Sequence, residues 1–283
     1  MRGNRKICLL SLLIIIFLGV FFNGFFMRIG DYLPKKLSMP DDLPVLFSED
    51  FESGHLKKEW RQSLANRNYS AQIINHRART GNSSLRVELR ENDPNIDESK
   101  RAEISLPMEA ALEEHWYSFS TFLPLRGDED YGIDPSSGEI IAQWHDVPDF
   151  GEEWLSPSLA LMTINGFYQI GRVWDQSPLS TQERIKDERL SEYVTLGEYN
   201  ADKGRWVDWT FHVKWGWERS HKPQLEIFKD GKRIFARTGV PNTKNDKQGV
   251  YMKLGIYKWD WEENPGNSSL DKRVVYYDSI EIR

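Results

Sequence analysis

Residues 250 to 259 read VYMKLGIYKW, and their alternation sets Tyr251, Lys253 and Tyr257 on one face of a strand and Val250, Met252, Leu254 and Ile256 on the other. Two more runs carry the same kind of polar face. In KRAEIS, Arg101 and Glu103 lie opposite Ala102 and Ile104, and in EIIAQWHDV, Gln143 and His145 lie opposite Ala142 and Trp144. A solvated sheet face ordinarily presents Thr, Ser, Lys and Glu. This one collects an imidazole, a carboxamide, a guanidinium, an ammonium and phenols, an inventory suited to removing a weakly acidic proton beside a carboxylate. In a uronic-acid polymer that proton is on C5, and it leaves only once the sugar carboxylate is neutralised. Arg101 would do this through paired charge-assisted bonds and Gln143 through its carboxamide donor. His145, with an ordinary pKa of about 6.5, would take the proton. Tyr257 would protonate the departing glycosidic oxygen or, with its pKa lowered by Lys253 or Lys258, share the role of base.

Neighbouring residues have two readings each. Glu103 either buttresses Arg101 as an ion pair or touches substrate, and Tyr251 is either a stacking platform for a sugar ring or a plain sheet residue. Lys258 has the parity of the apolar face and reaches the groove only if the strand end twists. Arg172, in YQIGRVW, would add positive charge to the groove wall. The Trp residues at 206, 209, 215 and 217 read as core.

These side chains need a sheet to hold them. With 39% hydrophobic and 13% aromatic residues among 283, and no sustained helical periodicity after residue 30, the chain reads as mostly β. Short strands separated by turns run from VLFSEDFESG to VVYYDSIEIR, two end segments expected to pair, and Asp230-Gly231 marks a hairpin. The pattern is that of an all-β sandwich or jelly roll over residues 45 to 283. Residues 126 to 139 and 175 to 200 interrupt it as long loops.

The motifs R-A-E-I, Q-W-H and Y-x-K-x-G-I-Y-K, in this order, resemble the polysaccharide lyases typified by heparin lyase I and glucuronan lyase, and more distantly the jelly-roll alginate lyases. HRARTGNSSLRVEL, HWYSFSTFLP, GRWVDWTFHVKW and YYDSIEI extend the resemblance over most of residues 45 to 283. It implies a β-jelly roll of concanavalin A-like type that binds an acidic polysaccharide, with Gln143, His145 and Tyr257 catalytic and Arg101 and Lys253 in the groove. Two other functions compete with this one. A non-catalytic carbohydrate-binding module needs aromatic platforms but not His145 beside Gln143 and Tyr257. A sandwich glycoside hydrolase needs two flanking carboxylates, and no E-x-D-x-x-E run is present.

The N-terminus is of another kind. Arg2, Arg5 and Lys6 precede about twenty apolar residues, 7 to 27, which read as a hydrophobic helix serving as signal peptide or membrane anchor over residues 1 to 28. Residues 29 to 44 form a linker, and the domain is expected outside the cytoplasm, anchored, or secreted or periplasmic if the segment is cleaved. Residues 1 to 28 hold four of the 37 Lys+Arg and no acid, leaving 33 bases against 43 acids and a net charge of −10 for the rest. That balance argues against nucleic-acid binding and towards a sulfate-poor polyuronate. The single cysteine, Cys8, lies in the apolar run, so the domain has no intrachain disulfide. No cofactor is needed for the chemistry, and no catalytic metal motif is present, while Glu49, Asp50 and Asp278 would suit a structural Ca²⁺ or ordinary hydrogen bonding at the sheet edge.

Overall fold

The structure is a computed structural model that describes residues 39–64 and 67–283. The hydrophobic helix expected over residues 7 to 27 lies outside the described residues. Among those described, no helix is long and apolar enough to cross a membrane.

Nearly all of the regular structure is strand: β1 (Phe47–Glu49), β2 (Arg61–Ser63), β3 (Ala71–Ile74), β4 (Ser84–Arg90), β5 (Arg101–Ser105), β6 (Glu114–Phe122), β7 (Gly138–His145), β8 (Leu159–Ile164), β9 (Phe167–Val173), β10 (Ser191–Glu198), β11 (Trp206–Lys214), β12 (Gln224–Lys229), β13 (Lys232–Thr238), β14 (Tyr251–Tyr257) and β15 (Lys272–Ile282). Two one-turn helices, α1 (Gln182–Ile185) and α2 (Asp260–Glu263), sit in loops. One antiparallel sheet runs β13-β12-β11-β6-β15-β4-β3, with β1 added beside β15, and the other runs β10-β9-β8-β7-β14-β5-β2. Two packed antiparallel sheets are consistent with the jelly-roll sandwich read from the strand pattern. The end segments pair as expected, Phe47 opposite Ile282 and Glu49 opposite Ile280. Asp230 (φ 52°) and Gly231 (φ 74°) make the tight turn between β12 and β13, with the two positive φ values that a type I′ hairpin requires.

The core lies between the sheets. Trp144, Leu161, Ile170, Leu254 and Ile256 from one sheet meet Tyr117, Phe119, Trp209, Phe211 and Tyr277 from the other. Trp209 and Trp215 belong to it, whereas Trp206 and Trp217, also read as core, are half-buried and lie outside it. The expected loop at 175 to 200 contains α1 but also β10, whose Val194 and Leu196 pack on the core.

A bulge shapes the outer face of the seven-stranded sheet. The pairing of β14 with β7 slips between Leu254 and Tyr257, and that of β7 with β8 slips between Ile140 and Ala142. As a result Ile141 and Ala142 both turn to the core, while Ile140 and Gln143 face outward. Across the core, the Tyr277 hydroxyl points at the freed carbonyls of Gly255 (2.7 Å) and Ile141 (2.8 Å). Gly255 sits at φ 144°, and a Cβ there would meet the Ala102 carbonyl oxygen at 2.2 Å, so only glycine fits.

Candidate active site

Strand β14 lies between β5 and β7, so the three motif-bearing strands are immediate neighbours. Residues paired across a sheet share a face. Tyr251 stands opposite His145, Lys253 opposite both Gln143 and Ser105, Gly255 opposite Glu103, and Tyr257 opposite both Arg101 and Ile140. The structure therefore brings Arg101, Glu103, Gln143, His145, Tyr251, Lys253 and Tyr257 onto one outer surface. Position 255, directly opposite Glu103 on β14, has no side chain.

Glu103 is the hub of this surface. It is buried, as are Gln143 and Lys253. The Gln143 amide donates to Glu103 Oε1 at 2.5 Å, while Arg101 Nη1 and Lys253 Nζ stand 3.8 and 3.6 Å from Oε2. Among the described residues Oε2 itself accepts no hydrogen bond, and Arg101 Nε donates none. Arg101 reaches the Ser99 hydroxyl at 2.9 Å and lies over the Tyr257 ring at 4.9 Å. Two cations to one carboxylate make the patch locally basic within an acidic domain. The ion pair to Arg101 that the buttress reading requires is present at 3.8 Å.

His145 marks one rim. Its Nδ1 is 2.7 Å from the Asp146 carbonyl oxygen, an acceptor only, so Nδ1 carries the proton and Nε2 keeps its lone pair. Burial, followed by the Lys253 and Lys244 ammonium groups, outweighs the opposing Asp146 carboxylate and pulls the imidazole pKa down to about 4. The ring is neutral at ordinary pH. Asp146 is held in turn by Lys244, whose Nζ donates to Asp146 Oδ1 and to the Ser156 carbonyl, both at 2.7 Å.

Tyr257 marks the other rim, opposite Ile140 and five residues from His145 along β7, roughly 15 Å of strand. It packs against the cluster of Ile140, Ala160 and Met162, with the Trp259 ring at 6.3 Å. Burial raises the phenol pKa, and the Ser99 and Arg101 contacts that lower it do not reverse the shift. The expected lowering by a lysine is thus corrected: the phenol stays protonated at neutral pH and is suited to donate.

Two predicted groove residues lie elsewhere. Lys258 is fully buried and pairs with Asp134 (2.9 Å) and Glu139 (3.1 Å), because the chain turns inward after β14 instead of twisting outward. Arg172 is also buried, shares the parity of the core residues Tyr168 and Ile170, and is bound by Glu192, so it adds no charge to the outer wall.

Other residues on this surface have no counterpart in the sequence reading. Trp154, 61% exposed on the loop after β7, stands 5.7 Å from the His145 ring. That loop lacks periodicity, so only the richness of the chain in Trp signalled it. Arg61 on β2, paired with Ser105, puts an exposed cation at the far edge of the Gln143 and Lys253 row.

No metal cluster of three or more His, Cys, Asp or Glu occurs among the described residues. Glu49 accepts from the Phe51 and Lys57 amides (both 3.1 Å) and the Trp60 indole (3.2 Å). Asp278 accepts from the amides of Arg79 (2.6 Å), Thr80 (3.1 Å) and Ser279 (2.6 Å), and Asp50 from that of Glu52 (3.2 Å). All three carboxylates thus take part in the ordinary hydrogen bonding of the sheet edge.

Several solved structures share the fold. An endo-β-1,4-glucuronan lyase from the fungus Trichoderma reesei superposes with a TM-score of 0.67 at 20% identity, covering 84% of this chain and 95% of that one. The alginate lyase vAL-1 from Chlorella virus gives 0.53 at 11% identity over 85% and 99%, and an endo-1,3-β-glucanase from Streptomyces sioyaensis 0.53 at 12% over 87% and 97%. A lyase and a glucanase on one scaffold show that fold does not settle chemistry. No curated protein matches in sequence. The family model for polysaccharide lyases, however, matches residues 51–281. With that match, the chain belongs to the polysaccharide lyase family and is a lyase enzyme.

Proposed function

We propose that this lyase cleaves a uronic-acid polysaccharide by β-elimination at the surface formed by β5, β14 and β7, and that its substrate is a sulfate-poor polyuronate such as glucuronan. The observation that carries the reading is the row of Gln143 and Lys253, backed by Glu103 and Arg101, lying between a neutral His145 and a protonated Tyr257. A sugar carboxylate over this row meets the Lys253 ammonium, the Arg101 guanidinium and the remaining Gln143 amide proton. Charge that develops on the carboxylate as C5 loses its proton is stabilised there. His145 Nε2 accepts the C5 proton, and the C5–H electron pair becomes the C4–C5 double bond. The bond from C4 to the glycosidic oxygen breaks, and that oxygen takes the Tyr257 hydroxyl proton. Exchange with solvent returns both side chains to their starting states. Glu103 fixes the spacing of the two cations and the carboxamide.

The preference for a sulfate-poor polymer rests on the −10 balance outside residues 1 to 28, together with a basic patch of only a few groups. The N-terminal run would place this activity outside the cytoplasm, held at a membrane or released. Incubating the protein with glucuronan, alginate and heparin, and following the ultraviolet absorbance of the unsaturated uronate product, tests the substrate. Absorbance growth on glucuronan above the other two is expected. Binding of these polymers without any product would replace the elimination reading with a carbohydrate-binding role.

A further inference from the structure

We propose that Tyr193 is the floor of a distal sugar subsite, occupied by a pyranose of the same polyuronate chain whose reacting unit lies over Gln143 and Lys253. The proposal rests on the elimination reading above and extends it along the polymer. One cross-strand row runs from Tyr193 on β10 through Gly171 on β9 and Ala160 on β8 to Gln143 and Lys253. Tyr193 and Gln143 are therefore three strand spacings apart, about 14 Å.

The row seats an aromatic ring at its β10 end. A Cβ on Gly171 would lie 2.7 Å from Tyr193 Cε1 and 2.9 Å from the Met162 methyl, so the phenol ring is seated on bare glycine backbone. Ala160, a small side chain packed with Ile140 and Met162, lies between Tyr193 and Gln143 in this row. Tyr193 is nevertheless 57% exposed.

Edge strands move unless they are tied down, and β10 is tied on its other face. Glu192 binds Arg172, which is 1% exposed, and also Arg237 on β13, at the edge of the opposite sheet. Val194 and Leu196 pack on the core. The phenol ring is thus held before any ligand arrives, which lowers the ordering cost of binding. A pyranose presents an apolar C–H face that suits such a ring. Gln169, paired with Thr195 in the next row of the same face, supplies a carboxamide for the sugar hydroxyls.

The experiment compares kcat/KM on β-1,4-glucuronate trimers and decamers. The parent should prefer the decamer. Tyr193→Ser should lower decamer kcat/KM about tenfold, mainly through KM, with a smaller change on the trimer, and Tyr193→Phe should retain the parent's preference. Gly171→Ala keeps the phenol but displaces its ring, and should give the same loss. A parent active on both oligomers, with both Tyr193→Ser and Gly171→Ala keeping its decamer-to-trimer ratio, would overturn the subsite alone. A parent inert on glucuronate would overturn the proposed substrate and the subsite with it. A self-association abolished by Tyr193→Ser, with the length dependence unchanged, would assign the ring to a contact between copies of the chain and also overturn the proposal.

Discussion

Two buried ionic clusters sit at opposite ends of one short segment, and they differ in how completely their carboxylates are bonded. Around Lys258, every carboxylate is satisfied. Asp134 accepts from Ser136, Ser268 and Lys258, and Glu139 accepts from Tyr131 and Thr163 and pairs with Lys258 and Arg273. Burial opposes ionisation of both acids, yet hydroxyl donors and cations hold each below its ordinary range. Around Lys253, Glu103 Oε2 has cations at 3.6 and 3.8 Å but accepts no hydrogen bond among the described residues. Carboxylates bonded at both oxygens stabilise a fold and leave no acceptor open, even though Arg273 Nε beside them, like Arg101 Nε, makes no hydrogen bond among the described residues. An open cluster keeps donors and charge for a carboxylate that has yet to arrive.

This contrast separates the two lysines by experiment. Lys258→Met leaves Asp134 and Glu139 buried without their ammonium partner and should destabilise the domain by about 3–5 kcal/mol, read from urea unfolding. Wild-type stability in that variant would erase the distinction between the clusters. Arg101→Ala should do the reverse. It should cost about a hundredfold in kcat/KM through both kcat and KM, since a carboxylate contact acts in the ground state and strengthens as charge develops, while stability changes by about 1 kcal/mol at most. A large loss of stability with unchanged kinetics would make Arg101 a structural residue.

The pH dependence is a smaller and more specific test. Because burial holds His145 near a pKa of about 4, the acid limb of kcat/KM should fall near pH 4 rather than near its ordinary value of about 6.5. The same shift has a thermodynamic sign. Between the two values the unfolded chain binds a proton that the folded chain does not, so stability rises with pH across this window and is lost as pH falls. His145→Gln should flatten that slope. An acid limb near 6.5 would mean that the imidazole is better solvated than its surroundings indicate.

Much of this surface was legible because a strand writes its two faces in alternate residues. Parity placed Arg101, Glu103, Gln143, His145, Tyr251, Lys253 and Tyr257 together, and adjacency of β5, β14 and β7 completed the set. Legibility ended where periodicity did. Lys258 lies one residue beyond β14, where the chain turns into α2, and its charge suggested solvent although its parity indicated the core. Arg172 misled in the same way, because its partner Glu192 is distant in sequence and becomes its neighbour only through the pairing of β9 with β10. Tyr193 did carry a signal, since Tyr193 and Thr195 alternate with Val194 and Leu196, but the polar residues of 175 to 200 concealed it. Trp154 sits in a loop, where no local rule fixes direction. The pKa shift of Tyr257 was not legible, because it depends on how deeply the ring is buried against Ile140 and Met162.

The central claim is that this surface performs elimination, with Tyr257 supplying a transferable proton, and Tyr257→Phe tests it most directly because the substitution removes one hydroxyl and keeps the ring beneath Arg101. On a uronate the parent cleaves, product formation should fall by about 10²–10⁴-fold while the affinity for oligosaccharide, measured by calorimetry, stays within about threefold. Parent-level turnover in Tyr257→Phe would contradict the account.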